Sequence, residues 1–239
     1  MENEDSLETR LVTVGKVFDS PPAVHPQGPR GVWSTERSCY DFMANHVRRG
    51  SRTLETGIGL STALFAAWGC DHLAVCPDPG QAAVIETYCA ENGISADSLT
   101  FDLRPSEIAL PHRADSGELD LVFIDGCHGF PSPIIDWFYA AGRLRRGGVL
   151  VFDDVQVPQV SLLIETFIEP DDRWQKLETT PKWRAYGRMS EGFLGEEWFV
   201  QPFFPAQKVK PHKGAIRTLK DAVPPRVRRK MASALRREA

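Results

Sequence analysis

Three acidic residues stand at the ends of two strongly apolar runs: Asp125 closes LDLVFID (119–125), and Asp153 and Asp154 close VLVFDD (149–154). Apolar runs with acidic ends are expected of central strands in a parallel sheet covered on both faces. Neighbouring strands lie about 4.8 Å apart, so the three carboxylates are predicted to converge at one carboxyl edge. Gathered carboxylates repel one another, which calls for something cationic among them. A positively charged ligand, a basic substrate or a hard divalent ion such as Mg²⁺ would each serve. His128, three residues beyond Asp125, is placed to take a proton from a substrate, since an unperturbed histidine titrates near physiological pH. A hydrogen-bonded loop histidine is the other reading.

A second chemistry-bearing segment is Glu55-Thr56-Gly57-Ile58-Gly59-Leu60-Ser61-Thr62, where a short apolar strand turns into an Ala-rich helix. Gly57 and Gly59 let the backbone pass close to a ligand, and the helix beginning near Ser61 aims its N–H groups and positive dipole end there. A dinucleotide fingerprint, G-x-G-x-x-G, requires glycine at 62, where the chain has Thr62. The acidic Glu55 suits a cationic ligand better than a phosphate.

The elements that must position these residues alternate. HLAVC (72–76) and LTFDL (99–103) read as strands around a helix at 80–93. Further helices are expected at about 134–144 and 160–168, with RRGG as a turn into the strand at 149–154. The aromatic-rich stretches 173–189 and 196–204 read as a closing pair of strands. This rhythm predicts an α/β, doubly wound, Rossmann-like architecture: a mostly parallel seven-stranded sheet, helices on both faces and an antiparallel last strand. Such sheets bind ligands beyond the carboxyl ends of their strands, where strand order reverses. PPAVHPQGPRG (21–31) is too rich in proline and glycine for a helix or central strand. Residues 1–31 therefore read as an N-terminal arm, 32–204 as the domain and 205–239 as a tail. Ser34 is the expected N-cap of a helix reaching about Arg49.

The pattern E-x-G-x-G, with an acidic residue after the second strand and FID and VFDD at later strand ends, resembles class I S-adenosylmethionine-dependent methyltransferases over roughly residues 34–201. DLVFIDGCHG and LRRGGVLVFDD place the resemblance nearest the small-molecule O-methyltransferases of the catechol and antibiotic-sugar types. The resemblance implies that Glu55, Gly57, Gly59 and Ser61 line the methionine end of the cofactor, with Asp125 nearby. It also implies that Ser106, in RPSEIALP, contacts adenine and that an acidic residue after the second strand holds the ribose. The usual position of that acid is Cys76 here, so Asp78 is the candidate, with an N-cap or turn role as its alternative. Asp125, Asp153 and Asp154 match the Mg²⁺ ligands of the metal-dependent members, and His128 becomes the base. Some relatives carry a second Asp two residues after the first, at Cys127 here.

The function implied is metal-assisted methylation of a hydroxyl on a small metabolite, a sugar or a secondary metabolite. The alternatives are a metal-independent methyltransferase with His128 as base, an NAD-binding oxidoreductase and a catalytically silent binding protein. Thr62 counts against the oxidoreductase; Cys76 and Cys127, at normally acidic positions, favour the silent protein.

Composition sets the frame. With 239 residues, 42% hydrophobic and 25% charged, the chain has the balance of a folded globular protein rather than a disordered or fibrous one. No stretch approaches the ~18 apolar residues of a membrane span, and MENEDSLETR lacks the features of a secretory signal, so a cytoplasmic location is expected. Cys39, Cys70, Cys76, Cys89 and Cys127 contain no C-x-x-C pair and read as reduced thiols. The net charge of −4 is unevenly spread: residues 205–239 carry 11 Lys/Arg against 2 Asp/Glu. That tail, with Val227, Met231 and Leu235 spaced four apart, is expected to touch an acidic surface, to lie solvated on the chain's own acidic body or to form an oligomer contact. No recognised nucleic-acid module accompanies it, and the resemblance implies a small-molecule acceptor as the partner. His25, His46, His72, His112 and His212 read as surface or strand-edge residues. Trp174, Trp183, Tyr186, Trp198 and Phe199 read as core, and the arm with Trp33 as a lid.

Overall fold

A computed structural model describes residues 5–25, 33–113, 117–190, 196–197 and 200–203. Seven strands form one sheet: β1 Arg52–Thr56, β2 Asp71–Val75, β3 Leu99–Asp102, β4 Leu119–Ile124, β5 Leu144–Phe152, β6 Trp174–Thr179 and β7 Arg184–Arg188. Their order is β3-β2-β1-β4-β5-β7-β6, parallel from β3 through β5, with β7 antiparallel to both β5 and β6. This is the predicted Rossmann-like fold. Strand order reverses between β1 and β4, so the crevice for a ligand opens above Thr56 and Ile124.

The strands form because β-branched and aromatic residues fill them, and the helices cover both faces. Helices α1 Leu7–Asp19, α2 Arg37–His46 and α3 Leu60–Ala67 lie to one side, where Val14, Tyr40, Met43, Leu64 and Phe65 pack with Leu121, Phe123 and Val151 of the sheet. On the other side, α6 Ser132–Asp136 and α7 Pro158–Leu163, each continued by a wider π-type turn, bring Trp137, Leu163 and Ile164 against Leu54, Val122 and Leu150. Alternate residues of one strand thus serve opposite layers, as strand geometry requires. Helix α4, Pro79–Glu91, and the short α5, Ser106–Ala109, complete the crossovers.

Four expectations need correction. The fold does not begin after the Pro/Gly-rich stretch. Residues 7–19 form α1, started by the Ser6 hydroxyl accepting from Thr9 N–H, and Val14 and Val17 are buried in the core. Helix α2 is capped at Glu36 rather than Ser34 and ends at His46. RRGG lies inside β5, where a register irregularity and the left-handed Gly147 absorb the bend. The closing strands both come from 173–189 and form a tight hairpin, whereas residues 200–203 are turn-like. The chain divides into a unit ending at Gly195 and a second beginning at Glu196. Trp198, Phe199, His212 and the tail's expected helix fall outside the described residues. Trp174, Trp183 and Tyr186 are core residues, and no described helix is long and apolar enough to cross a membrane.

Candidate active site

A cavity of about 940 Å³ opens at the carboxyl edge above β1 and β4, at the upper end of the about 300–1,000 Å³ typical of ligand sites. Its floor is the glycine turn. Gly57 has φ +97°, a region that favours glycine, and a Cβ there would lie 2.5 Å from the Asp125 carbonyl oxygen. Backbone bonds from Gly57 N–H to Val75 and from Asp125 N–H to Thr56 draw the strand ends together. Gly57, Gly59 and Ser61 line the cavity.

Glu55 does not line it. The carboxylate is buried behind the turn, accepting from the Ser61 hydroxyl at 2.6 Å and from the Thr62 hydroxyl, with His72 Nε2 at 3.1 Å. Thr62, the residue that breaks the dinucleotide fingerprint, also accepts from Gly59 N–H at 2.9 Å. One threonine therefore clips both the turn and the first turn of α3 to Glu55. His72 is fully buried rather than at the surface, because its ring stacks on Phe65 and Nδ1 lies 2.8 Å from the Thr53 hydroxyl.

Asp78 likewise turns away. It is the N-cap of α4, accepting from Gly80 N–H at 2.8 Å, so the ribose role loses its acid. The wall at that place is made by Cys76, Pro77 and Gln81, and the Cys76 thiol donates to Gln81 Oε1 at 3.0 Å. Ser106 does face the cavity, beside Asp136. Asp136 was not foreseen. It is buried on α6, its Oδ1 has no hydrogen-bond partner among the described residues, and burial pushes its carboxyl up to about 6 even though the Ser106 and Thr56 hydroxyls pull it down.

At the far end the carboxylates of β4 and β5 converge, but not as one open ligand set. Asp153 is buried, with Oδ1 accepting from Thr35 at 2.6 Å and Oδ2 3.2 Å from the Lys182 ammonium. Asp154, held in the left-handed region at φ 51°, is bonded through Oδ1 to Lys182 and to the Gln156 amide, with Oδ2 3.5 Å from His128 Nε2. His128 Nε2 also lies 4.0 Å from Asp125 Oδ1 and makes no hydrogen bond among the described residues. Burial, reinforced by the charges of Asp153, Asp154 and Glu55, pushes Asp125 well above the usual carboxylate range, with Lys182 opposing. Asp154 moves the other way: burial raises it, but Lys182, Gln156 and His128 together bring it below its ordinary value.

Among the described residues, those that come within reach of one ion are Asp125, His128 and Asp154, not the expected trio with Asp153. They do not fit Mg²⁺, which demands near-octahedral oxygen coordination and is poorly served by imidazole. The oxygens of Asp153, and Oδ1 of Asp154, are already engaged.

Phe18, Pro21, His25, Trp33 and Tyr40 complete the wall from the N-terminal side, with His25 and Trp33 stacked 5.3 Å apart. Thr35, Asp136 and Lys182 are the contributors that sequence reasoning missed. Lys182 had a signal, a lone lysine in the tight TTPKW turn, but its partner lies 28 residues earlier.

Comparison with known proteins places this geometry. No curated relative matches the chain in sequence. Several solved structures share its fold. A candidate O-methyltransferase from Klebsiella pneumoniae is 20% identical, covering 77% of this chain and 90% of its own, at a TM-score of 0.58. The S-adenosylhomocysteine-bound methyltransferase of Podospora anserina is 16% identical, with 76% and 88% covered, at 0.55. An rRNA methylase of Streptococcus thermophilus is 15% identical, with 66% and 100% covered, at 0.53. Residues 54–155 match the family described as "Methyltransferase domain". That segment holds the glycine turn and all three strand-end aspartates, and over it the chain is similar to the methyltransferase domain family.

Proposed function

We propose that this protein transfers the methyl group of S-adenosylmethionine to a hydroxyl of a small metabolite, a sugar or a secondary metabolite, without a divalent ion. The observation that carries the reading is the cavity itself: a glycine-floored crevice leads to a cluster of carboxylates around His128 and Lys182. The cofactor's requirements fit the residues present. The Gly57 cradle is a place that a Cβ would fill, and Asp125 with Asp154 offers negative charge to a sulfonium. When bound, the cofactor supplies a methyl on positive sulfur; the new O–C bond forms as the S–C bond breaks, leaving a neutral thioether.

The chain's own task is alignment and proton removal. His128 lines the cavity with Nε2 held between Asp125 and Asp154, and it takes the proton of the acceptor hydroxyl while the two carboxylates stabilise the imidazolium that forms. A small acceptor is favoured over RNA because Asp125, Asp153, Asp154 and Glu107 surround the cavity with negative charge that repels phosphates, and Phe18, Trp33 and Tyr40 narrow it.

Calorimetry with S-adenosylhomocysteine should show one site per chain. Incubation of the protein with methyl-labelled cofactor and a panel of small polyols, sugars and phenols should give labelled product at the same rate with and without EDTA. Binding of NADH in place of the homocysteine ligand, or cofactor binding with no product from any hydroxyl acceptor, would overturn the reading.

A further inference from the structure

The carboxylate cluster raises a question of charge that the fold answers with one residue. Lys182 sits in the short turn between β6 and β7, and its position is fixed by the backbone as well as by its charge. Its carbonyl accepts from Val155 N–H at 3.0 Å, so the turn is hydrogen-bonded directly to the residue after Asp154. Its own N–H donates to the Thr180 hydroxyl at 3.1 Å. From there the side chain enters the cavity wall, and its ammonium contacts Asp153 Oδ2 at 3.2 Å and Asp154 Oδ1. Thr35 secures the other oxygen of Asp153, and Gln156 adds a second donor to Asp154 Oδ1.

From this we infer that Lys182 is the resident cation of the strand-end carboxylates, occupying the oxygens through which a divalent ion would otherwise be held. An ammonium and a metal ion cannot share those oxygens, because the two cations would stand within a few ångströms of each other in a half-buried site. The inference deepens the metal-independent reading and names the residue that makes it possible. It also gives the antiparallel hairpin a part in the site: the last strands deliver a positive charge to the end of β5. An ammonium with two N–H groups committed to Asp153 and Asp154 keeps a third N–H.

The test uses the full chain and Mn²⁺ alone as the probe. Titration followed by electron paramagnetic resonance should show no stoichiometric Mn²⁺ binding by the wild-type protein. Lys182→Met, which keeps the length of the side chain and removes its charge, should bind one Mn²⁺ at least about tenfold more tightly than wild type. Lys182→Gln serves as a second variant if Lys182→Met does not fold, and circular dichroism with S-adenosylhomocysteine calorimetry establishes that the variant tested is intact. One tightly bound Mn²⁺ in the wild-type protein, or no gain of Mn²⁺ binding in either variant, overturns the inference. Failure of the wild-type protein to bind S-adenosylhomocysteine removes the methyltransferase reading instead, and the Mn²⁺ titration still decides the role of Lys182.

Discussion

Gly57→Ala should abolish cofactor binding and lower stability by about 3 kcal/mol, because it adds two penalties at one point. The backbone is left-handed at φ +97°, where an L side chain is strained by about 1–2 kcal/mol. The new Cβ would stand 2.5 Å from the Asp125 carbonyl oxygen and 3.0 Å from its carbon, and main chain cannot swing aside as a side-chain tip can. Overpacking of that kind costs a further about 1–3 kcal/mol. In a domain of this size the sum lowers Tm by on the order of 10 °C. Gly59→Ala provides the contrast. A Cβ there meets nothing within 4 Å, so its melting temperature should barely move. Thermal melts and S-adenosylhomocysteine calorimetry on both variants check the pair. A Gly57→Ala protein that binds within twofold of wild type would show that the turn is not the cofactor's cradle.

Asp136→Asn should stabilise the unliganded protein, and by an amount that depends on pH. Asp136 is buried in the cavity wall, and its carboxyl is held at about 6 against an ordinary 3.8. A raised value means that the fold prefers the protonated acid. Its contribution to stability is therefore complete below about pH 3.8 and is lost as pH rises through about 6. A shift of about two units corresponds to about 3 kcal/mol. Asparagine mimics the protonated acid at every pH. The variant should match wild type near pH 4, draw ahead between pH 4 and 6, and hold a lead on the order of 6–12 °C in Tm above pH 7. A lead that is the same at pH 4 and pH 8 would mean that the carboxyl is not held protonated by its burial.

The parts of this site that were legible in the sequence are those written locally. Apolar strands ending in Asp125 and in Asp153-Asp154 declare both their burial and their carboxyl ends within six or seven residues, and two glycines announce the turn after β1. What a side chain does next is not local. Glu55 was expected in the cavity, yet three partners behind the turn, Ser61, Thr62 and His72, hold it there. Asp78 has the right chemistry for a ribose, but Gly80 two residues later offers it an unsatisfied helix N–H. Lys182 acquires its meaning from an antiparallel return that places it beside Asp154, a pairing that spacing does not encode. Helix α1 did leave a trace. Leu7, Leu11, Val14 and Phe18 recur at spacings of four and three after Ser6, a helical stripe that ends before the proline-rich stretch begins.

That helix also links the chain's start to occupancy of the cavity. Phe18 and Pro21 form part of the wall, while Val14 and Val17 anchor the same segment in the core. A ligand filling the cavity gains contacts with the first 25 residues only when α1 is docked, so binding and docking are linked equilibria. At a ligand concentration 100 times Kd the linkage is worth about 2.7 kcal/mol. It should be readable as slower amide hydrogen exchange along residues 7–19 when S-adenosylhomocysteine is present, far in sequence from the strand ends where the chemistry is done.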